Sequence, residues 1–344
     1  MVRMPTPTFR PRGTVAPALL GPGAEFDLIR RFLSPAQAGR PDVRVGPGDD
    51  GAVVAGEGIV LSSDLSVEEV HFRRDWLPAE GIGYRAAAAA LSDLAAMAAR
   101  PIGVLASLAV PRGDAGDFAV EVIEGVRRAA ESVGAVLLGG DLTRSPGPVM
   151  LDVTVVGEAS HPVLRSGARM GDEVWVTGEL GAAAACVERL LAGRRPPRGA
   201  WPRFAEPRPR VQEARWLAER GLPSAMLDLS DGLAGDAAHL AAASGCAILL
   251  VRELVPVHPA VQLHTRSRSR AVEMALGGGE DYELCFTAAA GSVEPLCREF
   301  ERRFDVSLRS VGRVGHGDGV WWVDPEGHRT PLRNRGFRHF SQGE

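Results

Sequence analysis

Apolar positions along this chain recur at two periods, and the switches between them mark its elements. "GAEFDLIRRFLS" sets Phe26, Ile29 and Phe32 or Leu33 on one face of a short amphipathic helix. The loop "VGPGDDGAVV" leads toward a strand, and "GIVLSSDL" is a strand that ends in polar residues. "PAEGIGYRAAAAALSDLAAMAA" predicts a helix alanine-rich enough to pack closely. A strand at "IGVLASLAV", a helix at "GDFAVEVIEGVRRAAESVG", a short buried strand "AVLLGGD" that stops at its glycine pair, and a strand "PVMLDVTVVGEA" follow. Beyond "ASHPVLRSGARMGD" the pattern restarts with a strand "EVWVTG" and a helix "LGAAAACVERLLAG". Helices at 208–219 and 232–243, strands at "CAILLV" and "DYELCFT", a helix at 291–302, and strands near "VSLRSVGRV" and "GVWWVD" complete it. Residues 193–209, rich in Pro and Arg, read as an exposed loop, and "HTRSRSR" as a polar loop.

This order predicts an α/β (α+β) fold in two domains, with a boundary near residue 160. The divisions are a disordered leader at 1–23, a first domain at 24–160 and a second at 161–344. Composition narrows the chemistry. Apolar residues are 45% and charged residues 24% of 344, as in an ordinary globular chain with enough length for a sizeable core. A net charge of −4 argues against a nucleic-acid partner. No run of about 18 apolar residues occurs, so a cytoplasmic protein without a membrane span is expected. All 39 basic residues are arginine. A Schiff-base lysine and a P-loop lysine are therefore excluded. Cys186, Cys246, Cys285 and Cys297 form no CxxC pair and read as small buried hydrophobes.

Acids then stand out. Beside Gly, Ser or Thr at element ends lie Asp49 and Asp50 in "GPGDDG", Asp64 after Ser62 and Ser63, Asp93 in "ALSDLAAM", Asp141 in "LLGGDLTR", Asp228 and Asp231 flanking Ser230, and Glu280, Asp281 and Glu283 in "LGGGEDYEL". Many oxygen donors without a Cys/His cluster form a hard-cation pattern, suited to magnesium bound with phosphates. Each acid also has a plainer reading. Asp49 suits a turn, and Asp231 can serve as a helix N-cap. Asp236 reads as a solvated helix position. Asp93, inside an alanine-rich helix, has no capping role, and a buried acid there needs a cation or a donor. Glycine runs can bring backbone N–H groups to phosphate. Arg165 in "LRSGARMGD" is either a phosphate clamp or a surface arginine, and a lone His71 is more often structural than catalytic.

In this order and spacing, "GPGDDGAVV", "SSDLSVEEVHF", "GYRAAAAALSDLAAMAARP", "GGDLTR", "LRSGARMGDEVWVTGELG", "MLDLSDGLAGDAAHL" and "GGGEDYELCFT" resemble the thiamine-monophosphate kinase family of the aminoimidazole ribonucleotide synthetase superfamily. The resemblance runs from about residue 24 to the closing "GFRHF". It implies a kinase that moves the γ-phosphate of ATP to thiamine monophosphate, and a homodimer joined through its N-terminal sheets. It implies an ATP and metal domain at 24–160 and a second domain that completes the cleft. By likeness, Asp50, Ser62, Ser63, Asp64, Asp93, Asp141, Asp228 and Asp231 would hold several Mg2+ ions. Gly140, Asp141, Arg165 and Ser230 would contact ATP, and His71, Glu280 and Phe337 the thiamine phosphate. No covalent nucleophile or general base is implied. This chain departs from the family pattern at Pro47, Ser63, Glu69 and Leu142, where an aliphatic, Thr, Gly and Thr are common. The competing readings are a selenophosphate or aminoimidazole ribonucleotide synthetase-like enzyme, which the absence of cysteine before residue 186 disfavours for the first, and a nucleotide-binding maturation or scaffold protein.

Overall fold

The computed structural model describes residues 58–332, together with the backbone of two short paired strands, β1 (Val43–Val45) and β2 (Val53–Val54). The helix expected near residue 26, the leader, Asp50 and Phe337 lie outside the described residues.

The first sheet is built by β3 (Ile59–Val67), β4 (Arg100–Val110), β5 (Val136–Arg144) and β6 (Met150–Glu158), with α1 (Ala79–Ala96) and α2 (Asp117–Ser132) between them in sequence. Its order is β3-β6-β4-β5, and only β4 and β5 run parallel. Alternation along β4 and β6 turns Val104, Ala106, Leu108, Leu151, Val153 and Val155 toward a core shared with the two helices. Gly83 and Gly125 set how closely those helices pack. A Cβ on Gly83 would stand 1.8 Å from the Val122 carbonyl oxygen, and one on Gly125 1.9 Å from that of Glu80.

After it come β7 (Glu173–Thr177), α3 (Ala182–Leu191), α4 (Trp201–Ala205), α5 (Val211–Glu219), β8 (Pro223–Asp228), α6 (Leu233–Ser244) and β9 (Ala247–Leu250). Then α7 (Pro259–Thr265), α8 (Arg268–Gly277), β10 (Leu284–Ala288), α9 (Cys297–Phe304), β11 (Leu308–Gly315), β12 (Gly319–Val323) and β13 (Arg329–Pro331) complete the described chain. These strands form a sheet of order β13-β12-β9-β11-β7-β10-β8, in which only β9 and β12 run parallel. Helix α1 touches both β3 of the first sheet and β8 of the second, so acids on these three elements converge.

Three expectations are corrected. Strand β5 continues through its glycine pair to Arg144, because Gly140 lies against the Ala106 carbonyl of β4, where a Cβ would stand 1.8 Å away. Residues 193–209 are not merely an exposed loop: α4 buries Phe204 against Trp76 and Trp201 in the first core. "HTRSRSR" spans the end of α7 and the start of α8, where the Ser267 side chain accepts from the Arg270 N–H as an N-cap. Cys186, Cys246 and Cys285 are buried, Cys297 is partly buried, and all four are free thiols. Among the described residues, no helix is long and apolar enough to cross a membrane.

Candidate active site

Strand alternation divides the acids between two faces. On β3, Val60, Ser62 and Asp64 face α1, and Ser62 Oγ donates to Asp93 Oδ2 at 2.5 Å. Asp93 thus gains the donor its place in an apolar helix requires. From the other sheet, Asp228 ends β8, only 5% exposed. Its carboxyl is pushed up to about 7, first by burial and then by the Asp93 charge, with the Ser92 hydroxyl and Arg165 opposing. Asp64 is pushed up to about 6 by burial, Asp93 and Asp152. Asp93 is also raised by burial, against its bond from Ser62 and the Arg165 charge. Arg165, exposed at the junction, therefore acts on both acids.

The stretch "LDLSDGLAGD" is arranged differently from expectation. The N-cap of α6 is Gly232, so Asp231 does not cap the helix. Gly232 has φ 101°, and a Cβ there would stand 2.7 Å from the Leu276 carbonyl oxygen. Asp236 is not solvated: it is 4% exposed, and its Oδ2 accepts the Asp231 N–H at 3.1 Å. Burial, Asp228 and Asp231 push its carboxyl up to about 8. The signal lies in "GLAGDAA", where Asp236 is flanked only by small apolar residues and the whole of residues 233–237 is buried.

The glycine-rich segment before β10 is sewn onto this stretch. Glu280 N–H donates to the Ser230 carbonyl at 2.8 Å, and Tyr282 N–H to that of Leu229 at 2.9 Å. Glu280 and Tyr282 adopt φ of 60° and 50°, a left-handed backbone uncommon outside glycine. Glu280 pairs with Arg85 of α1. Asp281 accepts the Gly181 N–H with both oxygens at 2.9 Å, and burial pushes it up to about 8. The site thus draws on α1, β3, β8 and the segments either side of them.

On the opposite face of the first sheet, Ser63 Oγ donates to Asp152 Oδ1 at 2.9 Å and lies 3.0 Å from Thr154 Oγ1. The register sets Asp141 beside Ser107 and Ser107 beside Asp152. Ser63 and Asp141 are thereby separated from Ser62 and grouped with Asp152, which sequence reasoning passed over. The alternation in "MLDVTVV", with Asp152 and Thr154 out of phase with the aliphatics, carries that signal. Gly140, inside β5, and Ser230, just beyond β8, are both exposed. His71 Nδ1 accepts the Val67 N–H at 3.1 Å, which ties the ring to the end of β3. Glu69 has φ 67°, the physical reason that glycine suits this position.

Asp64 and Asp228 each lie in the field of Asp93, although the oxygens of the three do not all come within 4.8 Å of one another, and hard cations are the ligands that carboxylates so placed would suit. A pH prediction follows. Asp64, Asp228, Asp236 and Asp281 are pushed up to about 6, 7, 8 and 8, well above the ordinary range of a free aspartate. The folded chain then holds more protons than the unfolded one between about pH 4 and 8, so stability falls as pH rises through that window. Urea midpoints in chelator should be lower at pH 8 than at pH 5, and added Mg2+ should raise the midpoint more at pH 8. Equal midpoints with and without Mg2+ at both pH values would contradict the cation fit.

Residues 48–159 match the family model for AIR synthase related protein, N-terminal domain. The chain is 36% identical over 287 residues to thiamine-monophosphate kinase of Bacillus subtilis, covering 80% of this chain and 86% of that protein. Its fold matches the crystal structure of thiamine-monophosphate kinase from Stenotrophomonas maltophilia, with TM-score 0.77 and 34% identity, over 88% of this chain and 96% of that one. It also matches AaThiL complexed with AMPPCP and TMP, with TM-score 0.71 and 31% identity, over 82% and 87% of the two chains. The two-sheet α/β architecture is that of these structures.

Proposed function

This chain belongs to the thiamine-monophosphate kinase family, an ATP-dependent kinase family, and from that premise we propose that it transfers the γ-phosphate of ATP to thiamine monophosphate, giving thiamine diphosphate and ADP. The observation that carries the reading is that Asp64 and Asp228, from two different sheets, both lie in the field of Asp93 on the helix between them.

Asp50, Ser62, Ser63, Asp64, Asp93, Asp141, Asp228 and Asp231 are the oxygen donors for Mg2+ in this proposal. When bound, the ions supply positive charge that offsets repulsion between two phosphate-bearing reactants. The separation of Ser62 and Asp64 from Ser63 and Asp141 across the sheet supports more than one cation position. Arg165, Gly140, Asp141 and Ser230 bind ATP, with Arg165 offering a planar fork for phosphate oxygens. His71, Glu280 and Phe337 are the acceptor contacts in this proposal. The attacking phosphate oxygen is already ionised, so the chain needs no general base. Its residues act by alignment and charge, in a direct in-line transfer. A homodimer joined through the first sheet fits the apolar Ile59, Leu61 and Leu65, 43%, 65% and 54% exposed on β3.

A coupled ADP assay with ATP, Mg2+ and thiamine monophosphate tests the reading, with thiamine diphosphate identified chromatographically. Acceptor-dependent ADP release is the expected result. ATP binding by calorimetry with no product would instead favour a nucleotide-binding scaffold.

A further inference from the structure

Arg85 lies on α1 about two turns before Asp93 and is 5% exposed. Burying a guanidinium that deeply is costly unless its donors are taken up. Here two of its nitrogens are engaged across the molecule, one by a hydrogen bond and the other by an ion pair. One terminal nitrogen donates to the Phe204 carbonyl of α4, and the other pairs with a Glu280 oxygen. The guanidinium plane also lies over the Phe204 ring, 4.3 Å from its centroid. Phe204 in turn packs on Trp76 and Trp201, with ring centroids 6.5 and 5.6 Å apart. This explains why a Pro/Arg-rich connector carries a buried phenylalanine: it supplies both a carbonyl and an aromatic seat for one arginine.

The far end of the assembly is not buried. The Glu280 side chain is 32% exposed, and its backbone is held left-handed with its N–H bonded to Ser230. Its Oε1 is the oxygen paired with Arg85. A carboxylate so placed would repel a phosphate. It would accept from an amino group or lie against a cationic heteroaromatic ring, and half-buried Trp76 and Trp201 stand near the same seat.

We propose that Arg85 is a positioning residue for acceptor recognition: it fixes Glu280 so that the carboxylate engages the nitrogen-rich organic part of the acceptor and not its phosphate. This rests on the reading above that Glu280 contacts thiamine monophosphate. Arg85 itself does not touch the reactants. Its influence falls on the acceptor and leaves the ATP side alone, because Arg165 and the acids hold the nucleotide independently.

The test is steady-state kinetics on the full chain, varying thiamine monophosphate and ATP separately, for the parent, Arg85→Met, Glu280→Gln and the double variant. Arg85→Met should raise the acceptor KM about tenfold or more, with the ATP KM within about twofold. In the Glu280→Gln background, Arg85→Met should add little, since both changes remove one shared contact. Arg85→Lys replaces Arg85→Met if the latter does not fold. An unchanged acceptor KM, an equal rise in the ATP KM, or independent multiplying effects would overturn the proposal, as would failure of both Arg85 variants to fold. A parent chain inactive on thiamine monophosphate would remove the acceptor reading, and this proposal with it. An active parent with unaltered Arg85 variants would remove the positioning role alone.

Discussion

Asp228→Asn should lower turnover of ATP with thiamine monophosphate by roughly 10²- to 10³-fold or more, while leaving the chain folded. Asparagine keeps the shape of the side chain and removes the charge. Asp228 closes β8 at the point where α1 brings Asp93, so it joins the acids of one sheet to those of the other. The loss corresponds to several kcal/mol of charge stabilisation, the contribution a bound cation makes to phosphoryl transfer. A second consequence distinguishes this from simple damage. Burial and the Asp93 charge raise the Asp228 carboxyl to about 7, so its ionisation opposes folding at higher pH. Without added cation, Asp228→Asn should therefore be more stable than the parent at pH 8 and nearly equal at pH 4. Chelated urea melts at the two pH values, beside the ADP assay, check both parts. Full activity in the variant would refute the metal assignment.

Arg210→Met should cost about 3–5 kcal/mol of unfolding free energy. Glu283 and Arg210 side chains are 1% and 3% exposed. Arg210 grips Glu283 with two nitrogens, Nε at 2.8 Å and Nη2 at 2.5 Å, while Arg203 adds a bond at 2.9 Å and Thr177 Oγ1 one at 2.6 Å. Removing Arg210 leaves a buried carboxylate short of donors, and Glu213, which Arg210 also pairs, loses its partner. The double variant Arg210→Met with Glu283→Leu should recover more than half of the loss, because the uncompensated charge is then gone. Urea unfolding of both variants measures this. A loss under about 1 kcal/mol in the single variant would show that Arg203 and Thr177 suffice alone.

Part of the site was legible from local pattern. Asp93 in an alanine-rich helix has no capping role and calls for a cation or a donor, and the half-buried carboxylate takes Ser62 as its donor. Ser62 and Ser63 read alike in sequence because adjacent residues share a context. The pleat separates them, giving Ser62 to Asp93 and Ser63 to Asp152. Asp236 was misread because its spacing from Asp231 suggested the outer face of a helix. The exposed positions of helix α6, His239, Ala242 and Ala243, come in its later turns, whereas residues 233–237 are buried throughout, Asp236 among them. Residues 193–209 were misread for a different reason. Composition reports where proline and arginine dominate, but it does not report that one phenylalanine is held inward by an arginine 119 positions earlier.

Most of the alternation of strands and helices and the absence of any lysine-based mechanism are determined by the sequence alone, because periodicity and residue type are local properties. Tertiary structure decided which acids share a field, which strand face each hydroxyl serves, and that Arg85 reaches Glu280 across the two halves. Those outcomes depend on register and on helix α1 touching both sheets, and contacts between residues so distant in sequence leave no local periodic trace.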